Sequence, residues 1–227
     1  MTSTPDLAVL AWLSSIGAAP AADIAAACGA SPRSAAARLR ALEAGRLSRS
    51  VRLLHGEPSL HTLTRRGLRA AGCSEYEPTR ISAANFAHFL AVSAVATALR
   101  TGGRTVGGEK ELRALERAGG APLASAAVGV GEDGSPAWHR PDLVCWDGDL
   151  PTAIEVELTV KAPKRLRAIV RGWARSRLIS SVVYYATPAA SRAVASAVAS
   201  ESAHRRVAIQ TFEREHGAVS TVAVLDR

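Results

Sequence analysis

Residues 139–161, HRPDLVCWDGDLPTAIEVELTVK, decide how the chain is read. Ile154, Glu155, Val156, Glu157 and Leu158 alternate apolar with acidic, the period of a strand with one face of each kind. Both carboxylates then point the same way, and like charges two residues apart repel unless a cation, a proton or a basic neighbour offsets them. Asp142 follows Pro141, and the turn DGDLP over 147–151 returns the chain to the acidic strand. Hard oxygen ligands of this kind suit Mg²⁺ or Mn²⁺, which makes Asp142, Glu155 and Glu157 a candidate metal set for phosphodiester chemistry. The plainer alternative is a half-solvated edge strand, where acidic residues discourage sheet-to-sheet pairing. The RPD segment and the basic stretch after the strand favour the site.

That basic stretch, PKRLRAIVRGWARSRL, carries Lys164, Arg165, Arg167, Arg171, Arg175 and Arg177, and no Asp or Glu occurs over 158–200. Helical phase turns Leu166, Ile169, Val170 and Trp173 inward and leaves a basic wall beside the acidic cluster, suited to holding DNA; the alternative is an ordinary solvated helix face. Glu109 in GEKELRAL is a further acid, although a surface pair with Arg113 at i+4 is the expectation. His139 beside a strand reads as a structural hydrogen-bonding residue. Tyr184 and Tyr185 lack the histidine cluster that a covalent DNA nickase would need, and both read as structural. Outward from this stretch, a helix over 81–99 should pack on the sheet. Strands are expected over 104–106, 128–130, 142–146, 154–159, in SSVVYYAT and in RVAIQTFE, with STVAVL adding an edge strand and GEDGSP forming a loop.

Towards the start, a short apolar helix over 6–16 and a turn over 17–20 lead into AADIAAACG and SPRSAAARLRALEAGRL. Gly29 ends one helix, Ser31 caps the next and Pro32 sits at its first position, where a missing N–H costs nothing. Ala35, Leu39 and Leu42 should face a core, leaving Arg33, Ser34, Ala37, Arg38 and Arg40 outward, with Gly45 closing the helix. SRSVRLLHGEPSLHTLT then gives two strands joined around Gly56 and Pro58, a wing, and Thr64 caps a last helix bearing Arg65, Arg66 and Arg69. This is the order of a winged helix-turn-helix. Between Ser31 and Gly72 nine arginines stand against Glu43 and Glu57. Arg33 and Arg38 are the candidates for base edges, while Arg49, Arg52, Arg65 and Arg66 suit the phosphate backbone. A protein-docking module is the alternative, since Ala-rich helices are poor in base-reading side chains. CSEYEPT over 73–79 is polar, changes charge sign and suits a linker.

With 227 residues and 48% apolar composition, the chain can bury two modest cores. Its +8 charge is almost all arginine, Lys110, Lys161 and Lys164 being the lysines, and a polyanion is the partner class expected. No membrane partner is expected, and the start of the chain lacks the basic opening of a signal peptide, so the expected address is cytoplasmic. Cys28, Cys73 and Cys145 form no CxxC pair and read as reduced structural thiols.

HRPDLVCW and AIEVELTVK resemble the PD-(D/E)xK pattern of the restriction-endonuclease-like fold, in which a central mixed sheet flanked by helices displays the acids. The departure is Glu157 where that pattern has lysine; Lys161 can swing back towards the vacated place. FAHFLAVSAVATALR, GGEKELRAL, HRPDLVCW, IEVELTVKAPKRLRAIVRGWAR and VVYYATP, following a winged helix, are similar to the replication-relaxation family of plasmid and mobile-element proteins, most sharply at EVELTVKAPKRL. The resemblance implies an α/β (α+β) chain, with a winged helix-turn-helix over 1–78 and a nuclease-like domain over 79–227. It implies DNA binding in replication, relaxation or mobilisation, with DNA, a relaxase or replication protein, or a second copy as partners. Carried over residue by residue, the catalytic set is Asp142, Glu155, Glu157 and Lys161, with Asp142 and Glu155 holding the metal, Glu157 as a further ligand or orienter of water, and Lys161 stabilising developing charge. The alternative is a non-catalytic regulator or accessory factor whose second domain serves dimerisation or docking.

Overall fold

The computed structural model describes residues 4–131, 134–215 and 218–220, with side chains as far as residue 212 apart from residue 5. It is a mixed α/β chain that divides into two compact units, parting after Gly103.

The first unit runs α1 (Thr4–Ile16), β1 (Ala18–Pro20), α2 (Ala21–Ala27), α3 (Pro32–Ala44), β2 (Ser48–Val51), β3 (Leu60–Leu63), α4 (Arg65–Ala70) and α5 (Ala83–Thr101). Local chemistry sets α3 as expected: the Ser31 hydroxyl accepts from the Ser34 N–H at 3.2 Å, Pro32 opens the helix, and Ala35, Leu39 and Leu42 are its buried residues. At its far end Gly45 is the cap, as expected. Gly45 stays right-handed at φ −74°, and Arg46 takes the left-handed conformation at φ 56°. The sheet order is β1-β3-β2, all antiparallel. β1 replaces an expected turn; three residues are too few for a period to show, and Pro20 is tolerated because β1 is an edge.

The helix expected to lie on the C-terminal sheet belongs to this first unit instead. Phe86 and Leu90 of α5 join Ala18 and Leu60 in one core cluster, the Ser93 hydroxyl donates to Asp23 at 2.6 Å, and the Arg100 guanidinium lies 5.0 Å over the Trp12 ring. Periodicity shows that a helix face is buried but not what buries it. The polar segment over 73–79 is also held to this unit. Arg65 donates to Tyr76 O and to Glu77, Arg49 donates to Thr79 O at 3.2 Å, and Thr79 is buried.

The second unit runs β4 (Val106–Gly108), α6 (Glu109–Gly119), β5 (Ala126–Val130), β6 (Pro136–His139), β7 (Leu143–Cys145), β8 (Thr152–Glu157), α7 (Pro163–Arg175), β9 (Ser181–Ala186), α8 (Pro188–Ser200) and β10 (Val207–Thr211). Its sheet has the order β10-β9-β8-β7-β4. The pairs β4–β7 and β7–β8 are antiparallel, whereas β8–β9 and β9–β10 are parallel, with α7 and α8 as the crossovers. Val144, Ala153 and Val182 of the sheet pack with Leu166, Ile169, Val170 and Trp173 of α7 and Val194 and Val198 of α8. β5 stands outside this sheet and pairs with β6, a strand in place of the end of the expected loop. The Asp133-Gly134 pair is the hairpin signal for it. The edge strand expected over 220–225 lies, past Ser220, outside the described residues.

Candidate functional site

The acidic strand is central, not an edge. β8 lies between β7 and β9, and every one of its positions is buried. Its alternation therefore separates two covered faces, and Glu155 and Glu157 are 4% and 5% exposed. Burial without partners would be costly for two carboxylates, and the structure supplies each with its own. Glu155 Oε1 lies 2.6 Å from His139 Nε2 and accepts from the Trp173 indole N–H at 3.1 Å. Glu157 pairs with Lys161, four residues further along the chain. Asp142 Oδ2 accepts from the backbone N–H of Val156 at 2.8 Å, tying the start of β7 to β8.

Electrostatics follow from this packing. Burial raises the Glu155 carboxyl above its ordinary value, against the opposing pull of His139. Burial alone would depress the His139 imidazole, yet the adjacent Glu155 carboxylate, with Asp142, leaves it raised. The His139 ring meets Trp173 edge-on at 5.7 Å between centroids. Tyr184, in register with Glu155, is 1% exposed; burial, then Glu155 and Glu157, push its phenol far up. Its hydroxyl has no hydrogen-bonding partner of good geometry among the described residues, because the nearby Trp173 N–H serves Glu155. Tyr185 points to the opposite face, equally buried, with its phenol raised to about 12 by burial. Both tyrosines are enclosed in the fold, as expected of structural residues.

A hard divalent cation needs several oxygens converging on one point. Among the described residues no group of three His, Cys, Asp or Glu side chains is placed to hold one. Asp142, Glu155 and Glu157 thus share a neighbourhood without converging, because a backbone amide, a His–Trp pair and a lysine each engage a different one. As arranged, the donor set does not fit Mg²⁺ or Mn²⁺. Lys161, expected to swing towards the place of a missing lysine, is taken up by Glu157. Glu109 pairs with Arg113, the expected surface pair, and only its backbone N–H reaches Asp142, donating to Asp142 O at 3.1 Å. His139, read from sequence as a structural hydrogen-bonding residue, has that role beside Glu155. The bond from Trp173 to Glu155 and the buried Tyr184 hydroxyl were missed in sequence, the inward phase of Trp173 on α7 being the signal for them.

The basic residues divide by occupancy. Arg33 and Arg40 of α3 are exposed, and Ser34 is half-buried with its amide engaged in the cap. Arg38, expected at base edges, is pinned to Asp6 of α1 at 3.3 Å because its position on α3 faces that helix. Arg52 and Arg66 are exposed; Arg49 and Arg65 are exposed but tied to 76–79. On α7, Lys164, Arg165 and Arg167 are exposed, while Arg171 makes a two-pronged bond with Glu201 at 2.7 and 2.9 Å. Cys28, Cys73 and Cys145 are free thiols, and burial pushes Cys145 up to about 11. Among the described residues no helix is long and apolar enough to cross a membrane. No family model, curated protein or solved structure matches the chain.

Proposed function

We propose that the chain is a DNA-binding protein of plasmid or mobile-element replication, relaxation or mobilisation. The observation that carries this is α3: a buried seam of Ala35, Leu39 and Leu42 opposite exposed Arg33 and Arg40, in a segment with nine arginines against two glutamates. The order α2, α3, β2, β3, α4 with a β2–β3 hairpin supports a winged helix-turn-helix. In the second unit, two antiparallel pairings followed by a parallel one across α7 support a restriction-endonuclease-like fold. The separate engagement of Asp142, Glu155 and Glu157 favours an accessory factor, in which these acids hold the sheet together, over a metal-dependent nuclease.

The test is fluorescence anisotropy with duplex DNA across a salt series, comparing the wild type with Arg33→Ala/Arg40→Ala. The wild type should lose affinity steeply with salt, and the double variant should bind more weakly, with a slope reduced by about 0.9 for each phosphate it no longer neutralises. Unchanged affinity and slope would remove α3 from the DNA face. In a parallel assay, plasmid cleavage with Mg²⁺ or Mn²⁺ that disappears in Asp142→Ala would restore the nuclease reading.

A further inference from the structure

A cleft of about 190 Å³ opens between the first half of α7 and the second half of α8. Its lining is apolar at Val160, Pro163, Leu166, Ala193 and Ala197, of which Leu166 and Ala197 are buried while Val160 is left 57% exposed. Two cations also line it, and they differ in what holds them. Lys161 is taken up by Glu157, whereas Arg167 is exposed and makes no hydrogen bond among the described residues. No carboxylate lines the cleft. Glu201, whose charge Arg167 also feels, is engaged by Arg171 through both oxygens at 2.7 and 2.9 Å. The cleft therefore joins an apolar surface to one cation whose charge no hydrogen-bonded carboxylate offsets.

We propose that this cleft binds a small amphipathic anion, a carboxylate on a short hydrocarbon chain, with its charge on the Arg167 guanidinium and its chain along Leu166, Ala193 and Ala197. Charge complementarity selects the sign, since no Asp or Glu occurs over 158–200 and a guanidinium grips a carboxylate with two parallel hydrogen bonds. Size selects a small ligand. The volume falls below the ~300–1,000 Å³ of sites for drug-sized molecules and has room for about six water-sized groups. The apolar lining selects the chain: a bare phosphate, free or in a nucleic-acid backbone, would meet Arg167 and leave Leu166, Ala193 and Ala197 without a partner. The site stands apart from the proposed DNA binding and is testable without DNA.

The experiment is titration calorimetry of the full chain with butanoate, hexanoate and octanoate, and with acetate and octanol as the charged and apolar halves alone. Affinity should rise about two- to four-fold for each methylene added, the upper figure being that of full burial. Acetate and octanol should each bind at least about ten-fold more weakly than octanoate. Arg167→Ala should weaken octanoate about ten-fold and leave octanol unchanged. Ser196→Trp, at an exposed position of the lining, fills the cleft without altering charge and should abolish octanoate binding at the wild-type thermal midpoint. Octanoate that binds no more tightly than acetate would overturn the proposal, leaving only a cation for any anion. Octanoate binding untouched by Ser196→Trp, or weakened by Arg167→Ala no more than octanol is, would place the ligand elsewhere and overturn it too. So would a wild-type dimer that becomes monomeric in Ser196→Trp while octanoate is inert, which would make the cleft a protein interface.

Discussion

Glu116 is 5% exposed on α6, yet its carboxylate is fully employed. It accepts from the Leu123 N–H at 3.0 Å and the Ser125 hydroxyl at 2.5 Å, and Arg140 Nε donates to its other oxygen at 2.7 Å. Burial raises its pKa, but the bonds from Ser125, Leu123 and Arg140 outweigh burial and leave it below the ordinary 4.5. A depressed folded value contributes stability above the unfolded value and loses it as pH falls through the folded one. Glu116→Gln should therefore cost about 1–3 kcal/mol near neutral pH. The gap from wild type should close as both are acidified below the ordinary glutamate value. Urea unfolding across pH measures it, and a pH-independent gap would mean that packing rather than charge sets the loss. The same scale shows why the acidic strand was half legible. Glu155 and Glu157 were identifiable as a paired feature, but a strand's period is identical whether its acidic face meets solvent, a metal or a helix, and only the placement of α7 puts Trp173 over Glu155. The hydrogen-bonding role read for His139 holds, but its partner was not legible because Glu155 lies sixteen positions away on β8.

Elements were legible where their ends carry chemistry. Ser31, Pro32 and Thr64 fix the starts of α3 and α4 through local hydrogen bonds that need no tertiary knowledge. β1 and β6 were not, being three and four residues long, and the surroundings of α5 were not, because burial on one face names no partner. Gly172 on α7 illustrates a constraint invisible in sequence. A Cβ there would sit 2.6 Å from Ala127 O and 3.2 Å from Ala126 Cβ, so the bare backbone is what lets α7 lie against β5. A mid-helix glycine costs about 1 kcal/mol relative to alanine, and its retention is explained by this approach. Gly172→Ala should net a loss of about 1–2 kcal/mol as the hairpin is pushed from the helix. Gly119→Ala, where nothing lies within 4 Å, should be neutral or slightly stabilising. Thermal midpoints of the two variants compare them directly, and equal shifts would deny the close approach any role.

At the scale of the whole molecule, charge is distributed between the units in different ways, and that governs how each can contribute to holding a polyanion. In the first unit Arg38, Arg49 and Arg65 are committed within the fold, and Arg33, Arg40, Arg52 and Arg66 remain exposed with no bonded partner among the described residues. In the second, Glu201 occupies Arg171 and is itself held below its ordinary value by the hydrogen bond from Arg171, with Arg167 and Arg175 nearby, which leaves Lys164, Arg165 and Arg167 as the exposed start of α7. Phosphate neutralisation shows in the salt dependence of binding, each phosphate contributing about 0.9 to the slope on duplex DNA. Replacing Lys164, Arg165 and Arg167 together by alanine separates two arrangements. If α7 faces DNA, the slope should fall by up to about 2.7, and Glu201→Gln, by freeing Arg171, should raise affinity with a steeper slope. If α7 only solvates its own face, neither change will move the slope, and DNA binding will rest on the first unit alone, where removing Arg33, Arg40 and Arg52 should abolish most of it.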